Sequence, residues 1–363
     1  MKRRTFLQAA LMTPVIAGLP ALSNATVAVL SEEGWRTFEL ITKVEIADPG
    51  KVSRAWIPLP YALKTDWHMP LGNTWSSNGK LQVVIEPKYG AEMLYVEWQE
   101  NEKAPLLEVV SRFATRDRTV DFSGSNANMP RLPQSEIKLY TEPTELIPTD
   151  GLVRETALDI TRFAATDIEK ARAIYEWIVD NTFRDPKVKG CGRGDIRTML
   201  ETRYFGGKCA DLNTLFVGLA RSAGIPARDI YGIRIAPSQQ DYKSLGLGSN
   251  NASKGQHCRA EFFAQGIGWV PVDPADVRKV VLEEPPGNLQ IHDPKVIFAR
   301  KKLFGSWEMN WLAYNSAHDV VLPHTQTKLA YFMYPNGETG GKALDQLDPD
   351  NFKYLITARE IEI

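Results

Sequence analysis

Three residues of this 363-residue chain have the types that nucleophilic catalysis needs: Cys209, His257 and Asp273. Cys209 follows the pair Gly206-Gly207 and Lys208, and two glycines let the backbone turn tightly. The cysteine then stands in the first turn of an amphipathic helix. There, unpaired N–H groups and the positive end of the helix dipole lower a thiol pKa from its free value of about 8.5. Lys208 adds a positive charge. Asp211 suits a helix N-terminus, although its charge would oppose a thiolate if it faced the sulfur. Taken alone, Cys209 reads equally as a small apolar residue that opens a helix. A cysteine nucleophile also needs an imidazole to take and return a proton, and a third group to hold the imidazole's tautomer. His257 begins a strand that runs to Phe263. Asp273 ends the strand Trp269–Asp273, after a turn at Gly266–Gly268. As a β-hairpin these strands let His257 and Asp273 meet, without forcing them to.

The elements that must position these residues are legible as patterns. From Trp35 to Phe122 the period is two: Phe38, Leu40, Thr42, Val44 and Ile46 share a face opposite Glu39, Lys43 and Glu45. Asp48-Pro49-Gly50 turns the chain into Val52–Leu59, and further strands are predicted at Leu81–Ile85, Met93–Trp98 and Leu106–Thr115. Pro58 and Pro60 place Val52–Leu59 at a sheet edge. Residues 26–122 therefore read as an antiparallel β domain. Residues 123–149, opening with the small polar Ser123–Gln134 stretch, read as a linker.

Helical spacing takes over after Thr149. Thr166-Asp167-Ile168-Glu169 has the form of a capping box, opening a helix with Ile168, Ala171, Tyr175 and Ile178 on one stripe. A second helix runs from Cys209 to about Ala223, with Gly224 as its C-cap and Pro226 unable to prolong it. Strands follow at Asp229–Ala236, His257–Ala264 and Trp269–Val272. Helices followed by strands favour an α+β core over a doubly wound sheet, here spanning residues 150–283. Residues 284–363 form a β-rich segment, with strands near Leu329–Tyr334 and Tyr354–Ile363.

Composition excludes several classes. With 43% hydrophobic, 24% charged and 10% aromatic residues, the chain is neither disordered, collagen-like nor a disulfide scaffold. Net charge is −1, and without residues 1–25, which hold Lys2, Arg3, Arg4 and no acid, it becomes −4. A mildly acidic body argues against nucleic acid or an anionic membrane surface as partner. Residues 1–25 pair a positive start with an apolar run from Phe6 to Leu22 and small residues before a cleavage point after Ala25. The Arg3-Arg4 pair followed by Thr5, Phe6 and Leu7 resembles a twin-arginine export signal, implying delivery to the periplasm or beyond. No stable membrane span is expected after cleavage.

Several motifs together resemble the transglutaminase-like superfamily, whose papain-related core uses cysteine, histidine and aspartate in that order. They are Gly207-Lys208-Cys209 with its helix, Arg221–Arg228, His257 followed by Ala260-Glu261, and Gly268–Pro274. The resemblance covers about residues 150–285. It implies a transglutaminase-like core flanked by the N-terminal β domain and the C-terminal β-rich segment. Cys209 would be the nucleophile, His257 the general base and acid, and Asp273 the orienting carboxylate. The implied reaction forms a Cys thioester from an amide of a peptide or protein. Water resolves it in peptidases, amidases and deamidases, and an amine resolves it in crosslinking enzymes. The family pattern often has a small residue and then an aromatic after the histidine, whereas this chain has Cys258 and Arg259. No loop of alternating Asp and Asn with a closing Glu supports calcium activation, and no cofactor is implied.

Competing readings remain open at this level. Cys191 and Cys258 could pair in an oxidising compartment. Zinc binding by Cys191, Cys209, Cys258 and His257 is allowed by ligand type but lacks paired spacing. His68, His292, His318 and His324 show no partner pattern, so packing or surface roles are expected. Trp269 is either a shield over the His257–Asp273 contact or a core aromatic. Gln239–Gly255 is either a mobile loop over the cleft or a plain connection. The competing function class is a catalytically silent envelope scaffold whose β domains bind partners. A thiol redox protein is disfavoured by the absence of a Cys-x-x-Cys pair.

Overall fold

The computed structural model describes residues 34–47, 50–124, 129 and 131–362. The expected export signal at residues 1–25 and the Asp48-Pro49 pair of the first turn lie outside them. Alternating burial turns the first third into β1 (Arg36–Glu45), β2 (Ser53–Pro58), β3 (His68–Ser77), β4 (Lys80–Ile85), β5 (Glu92–Trp98) and β6 (Leu106–Thr115). Helices α1 (Gln134–Leu139), α2 (Gly151–Thr161), α3 (Asp167–Asn181), α4 (Ile196–Thr202) and α5 (Cys209–Ser222) follow. Next come β7 (Ala227–Arg234), β8 (Gln256–Ala264), β9 (Gly268–Val272), α6 (Pro274–Glu283) and α7 (Pro294–Lys302). The chain finishes with β10 (Trp311–Asn315), β11 (His318–Val321), β12 (Lys328–Tyr331), β13 (Asn336–Thr339), β14 (Lys342–Leu344) and β15 (Lys353–Glu360).

Two antiparallel sheets, ordered β15-β1-β6-β3 and β14-β13-β2-β5-β4, pack through Val44, Ile57, Leu94, Val96, Trp98, Val109 and Phe352. Strands from the last thirty residues thus complete sheets begun by the first. The edge expectation for β2 is corrected: β2 lies between β13 and β5. Its pairing with β13 stops at Trp56, so the missing N–H of Pro58 falls beyond that ladder. The proline-bearing edge strand is β3, whose bulge between Pro70 and Gly72 hides the period-two pattern.

The core sheet is ordered β9-β8-β7-β10, so the C-terminal segment supplies its last strand too. Against it lies α5, every residue of which is buried. A buried helix needs partners for most of its polar groups. Asn213 donates to the Cys258 carbonyl at 2.8 Å, and Thr214 to Asp229 at 3.2 Å. Arg221 donates to the Ala227 carbonyl at 2.8 Å. The neighbouring α3 opens with the expected capping box: Glu169 N–H donates to Thr166 Oγ1 at 3.2 Å, and Thr166 N–H to the Glu169 carboxylate at 2.9 Å. Gly224 takes φ +84° directly after α5, as a C-cap requires.

If β15 is integral to the fold, replacing its buried Ile356 by Ala removes about 2–4 kcal/mol of stability. Urea unfolding measures this; a loss below about 0.5 kcal/mol would mean that the strand is dispensable.

Candidate active site

Cys209 opens α5 because Asp211, two residues on, fixes the turn before it. One Asp211 oxygen accepts the Lys208 N–H at 2.9 Å, and the other accepts those of Arg193 at 2.9 Å and Gly194 at 3.0 Å. Asp211 therefore spends its charge on the backbone of the 192–194 loop. The loop and the turn come close enough to it to exclude side chains. A Cβ at Gly207 would lie 2.5 Å from Asp211 Cβ, and one at Gly192, where φ is +92°, 1.9 Å from Asp211 Oδ2. As the first residue of its helix, Cys209 has a backbone N–H with no intrahelical acceptor.

The structure brings Cys209, His257 and Asp273 together in the buried core. His257 Nε2 lies 2.7 Å from Asp273 Oδ2, which leaves Nδ1 as the ring nitrogen free for the neighbouring Cys209 sulfur, whose pKa the imidazole lowers. Asp273 also caps α6, accepting the Asp276 N–H at 3.0 Å, and takes a bond from Asn213 Nδ2 at 3.1 Å. Sequence reasoning missed Asp276, one turn into α6, whose Oδ2 is 3.4 Å from His257 Nε2. It also missed Arg234, which grips both Asp276 oxygens at 2.6 and 2.8 Å. The Asp273-Pro274-x-Asp276 helix start was the one available signal, since a capping aspartate and a first-turn acid sit on neighbouring faces.

These charges set the site's electrostatics. Burial drives the His257 imidazole down, but Asp276 and Asp273 outweigh it and push its pKa up to about 10. Burial also raises Asp276, yet Arg234 and then His257 hold it well below the usual carboxylate range. Asp273 moves the other way, lifted by burial and by Asp276. Asp276 therefore carries the firm negative charge, while Asp273 supplies the short contact.

All three cysteines of the chain are free thiols, and they meet at this point. The neighbouring Cys191 and Cys258 thiols, joined by His257 and its charge, hold the Cys209 thiol well below its ordinary value despite burial. The same neighbour, with burial, raises Cys191, and burial first of all raises Cys258. Backbone contacts fix Cys191 there: its carbonyl accepts the Ala210 N–H at 2.9 Å, and its sulfur donates to the Gln256 carbonyl at 3.3 Å. The Cys191–Cys258 bridge is not formed. A thiolate on Cys209 beside an imidazolium on His257 is the state this arrangement favours.

The Cys258-Arg259 departure has a physical reading. Arg259 is buried with its guanidinium 4.8 Å from the Trp311 ring and 3.6 Å from Asp273, and it donates to the Glu308 carbonyl at 2.9 Å. Trp311 in turn donates to the His257 carbonyl at 2.8 Å. Trp307 and Trp311, not Trp269, are the indoles beside the histidine–aspartate pair. Trp269 stacks on Arg228 at 4.0 Å, where Arg228 and Arg118 both clasp buried Glu261. Of the other histidines, His68 is buried on the Tyr61 carbonyl at 2.8 Å, and His292 is exposed. His318 lies 3.3 Å from buried Asp229, and His324 packs on Tyr95.

Among the described residues, the grouping spaced for a metal ion is His257, Asp273 and Asp276, and it excludes the three sulfurs. Arg234 and Arg259 already answer those carboxylates with positive charge, so the site does not fit a cation. Cys209 and His257 line a cleft of about 750 Å³. Gly246, Leu247 and Ser253–Gln256 border it. This loop is tied down by Ser244 on Glu284 at 2.8 Å and by the Ala252 N–H on Ile356 at 2.8 Å.

Residues 154–274, which contain Cys209, His257 and Asp273, match the transglutaminase-like superfamily. An uncharacterized protein of Haemophilus influenzae is 38% identical over 322 residues, covering 84% of this chain and 86% of that protein. The chain belongs to one family with that protein, and its core is a transglutaminase-like domain. The crystal structure of a candidate cysteine protease from Cytophaga hutchinsonii aligns over 91% of this chain and 92% of its own, with a TM-score of 0.55 at 13% identity. That likeness extends the shared fold to the flanking β regions. The periplasmic domain of TgpA from Pseudomonas aeruginosa aligns over 70% of this chain and 92% of its own, at 16% identity. Its TM-score of 0.33 is too low to argue from.

At mildly acidic pH, iodoacetamide is expected to label Cys209 at least about tenfold faster than Cys191, Cys258 or a cysteine peptide. Mass mapping of the labelled chain reads the rates. In His257→Ala the advantage disappears. In Asp276→Asn, the alkaline limb of the rate profile, set by an imidazole near 10, moves to lower pH because a charge that holds the proton is gone. Equal labelling of the three thiols would contradict the assigned electrostatics.

Proposed function

We propose that this chain is a transglutaminase-like cysteine enzyme acting on amide bonds of peptides or proteins. The observation that carries the reading is an imidazole 2.7 Å from a buried carboxylate and beside a thiol, with the thiol and the imidazole on the wall of a cleft. In this mechanism the Cys209 thiolate attacks the amide carbonyl carbon. The Cys209 backbone N–H, unbonded within its helix, points to the developing oxyanion. The C–N bond then breaks, the amine leaves with the proton held by His257, and an acyl thioester remains on Cys209. Water, giving its proton to His257, attacks the thioester, releases the acid and restores the thiolate. An amine entering in place of water would give a crosslink. The reading takes hydrolysis as the outcome, since water needs no binding site of its own. Asp273 and Asp276 act through His257 by holding its orientation and charge.

Mass spectrometry of a peptide library incubated with the protein tests this reading. Backbone cleavage, a one-unit deamidation gain and amine incorporation carry distinct mass signatures. At least one is expected with the native chain, and Cys209→Ala should abolish it; products persisting in the variant would refute the mechanism.

We further propose that the protein works in the periplasm or beyond it, exported by its twin-arginine-type leader and cleaved after Ala25. No helix among the described residues is long and apolar enough to cross a membrane. Intact-mass measurement of the protein from a periplasmic extract should find Thr26 at the N-terminus. Substituting Lys for both Arg3 and Arg4 should hold the precursor in the cytoplasm.

A further inference from the structure

The cleft is charged out of proportion to the chain. The whole protein carries a net charge of −1, yet seven of the residues lining this one cavity are Lys or Arg and two are Asp. Three of the seven have their charge answered nearby. Arg184 and Lys279 share Glu283, and Arg234 is taken by Asp276. The remaining four, Lys187, Lys189, Lys208 and Lys254, make no ion pair among the described residues. Lys187 and Lys208 lie near enough to Asp185 to lower its carboxyl, which also accepts hydrogen bonds from Tyr204 and the Lys187 N–H.

The two aspartates cancel only part of this excess. Within their loop Asp345 accepts the Leu347 N–H at 2.9 Å and Asp348 the Asp350 N–H at 3.0 Å, and their two negative charges stand against four unpaired lysines. That loop forms the other wall, together with apolar Leu347, Pro349, Phe352 and Tyr354. A cavity of 750 Å³ is roughly 9 Å across, comparable with the screening length of about 8 Å at physiological salt. A bound anion there would feel several of these ammonium groups at once. Lys208 directly precedes Cys209 and Lys254 stands three residues before His257 in the chain, and all four residues line the same cleft.

We infer that the cleft selects acidic peptides: an acyl donor bearing Asp or Glu side chains beside the reacting amide, with an apolar residue against the Leu347–Tyr354 wall. This inference rests on the proposed amide chemistry for its peptide part, and on the lysines alone for its charge part. Uncompensated lysines around a thiolate would otherwise serve no fold, since all four are exposed or half-exposed. Such steering raises the encounter rate with anions and weakens as salt rises.

The test uses the native chain and three quenched fluorescent peptide sets of matched apolar content, carrying Glu and Asp, only neutral residues, or Lys. Expected is a kcat/KM at least about tenfold higher for the acidic set than for the lysine set, shrinking towards unity near 0.5 M salt. The acidic-to-neutral ratio should fall in the double variant Lys187→Gln, Lys254→Gln. Equal rates for the three sets, or a salt-insensitive ratio, would overturn the inference. Fluorescence anisotropy with the Cys209→Ala protein separates this from the amide chemistry. Acidic peptides bound tightly but never turned over would leave the charge selection standing and remove the proposed reaction. No preference in binding would remove the selection itself. Polyphosphate bound as tightly as the acidic peptides would show that the cleft reads charge alone, and would overturn the peptide assignment.

Discussion

The structure is organised around one buried succession of ionisable groups: the Cys209 thiol, the His257 imidazole, the carboxylates of Asp273 and Asp276, and the guanidinium groups of Arg259 and Arg234. Each is buried, and an isolated charge in such a place would be expelled or neutralised. In succession they compensate one another, the pattern in which loss of a single member costs about 3–5 kcal/mol. The succession also explains why the neighbourhood is so completely specified. Asn213 ties Asp273 to the helix that Cys209 opens, Trp311 ties the His257 backbone to the last strand of the core sheet, and Arg259 is held over that indole.

The flanking β regions join this core by the same means. Arg118, just beyond β6, and Arg228 on β7 converge on Glu261 of the histidine strand, and Arg118 lies 5.1 Å from the Trp307 ring. Phe38, Phe113 and Ile356 of the sandwich pack directly on Ile233 and Leu312 of the core sheet. The strand that presents His257 is thus braced from both sides.

Much of this was legible in the residues. Strands with clean alternation, such as Leu106–Thr115, and helices with strong end signals, such as Thr166–Glu169 and Cys209–Gly224, lie where their patterns placed them. So does the meeting of His257 with Asp273, because a hairpin leaves few ways to arrange its ends. The rest depended on contacts between distant segments. Pro58 read as an edge signal, but which strands flank β2 is decided by residues 336–339. Trp269 was the near indole in sequence, whereas Trp307 and Trp311 are the near ones in space. Asp276 showed only as a first-turn acid after the Asp273 cap, and Arg234 and the convergence of Cys191 with Cys258 carried no local pattern, since each gains its meaning from a partner dozens of residues away. The role assigned to Asp211 was half visible: its place at the helix start was plain, its bonds to the 192–194 loop were not.

The stitching of the chain's two ends has a consequence for biogenesis. Arg36 on β1 bonds Glu360 on β15, 324 positions later, and β2 waits for residues 336–339. Neither N-terminal sheet can close until its partner strand from residues 336–360 has been made. A topology of such long-range pairings folds slowly and is aggregation-prone while it waits. This is a demand on chaperones rather than on the finished molecule.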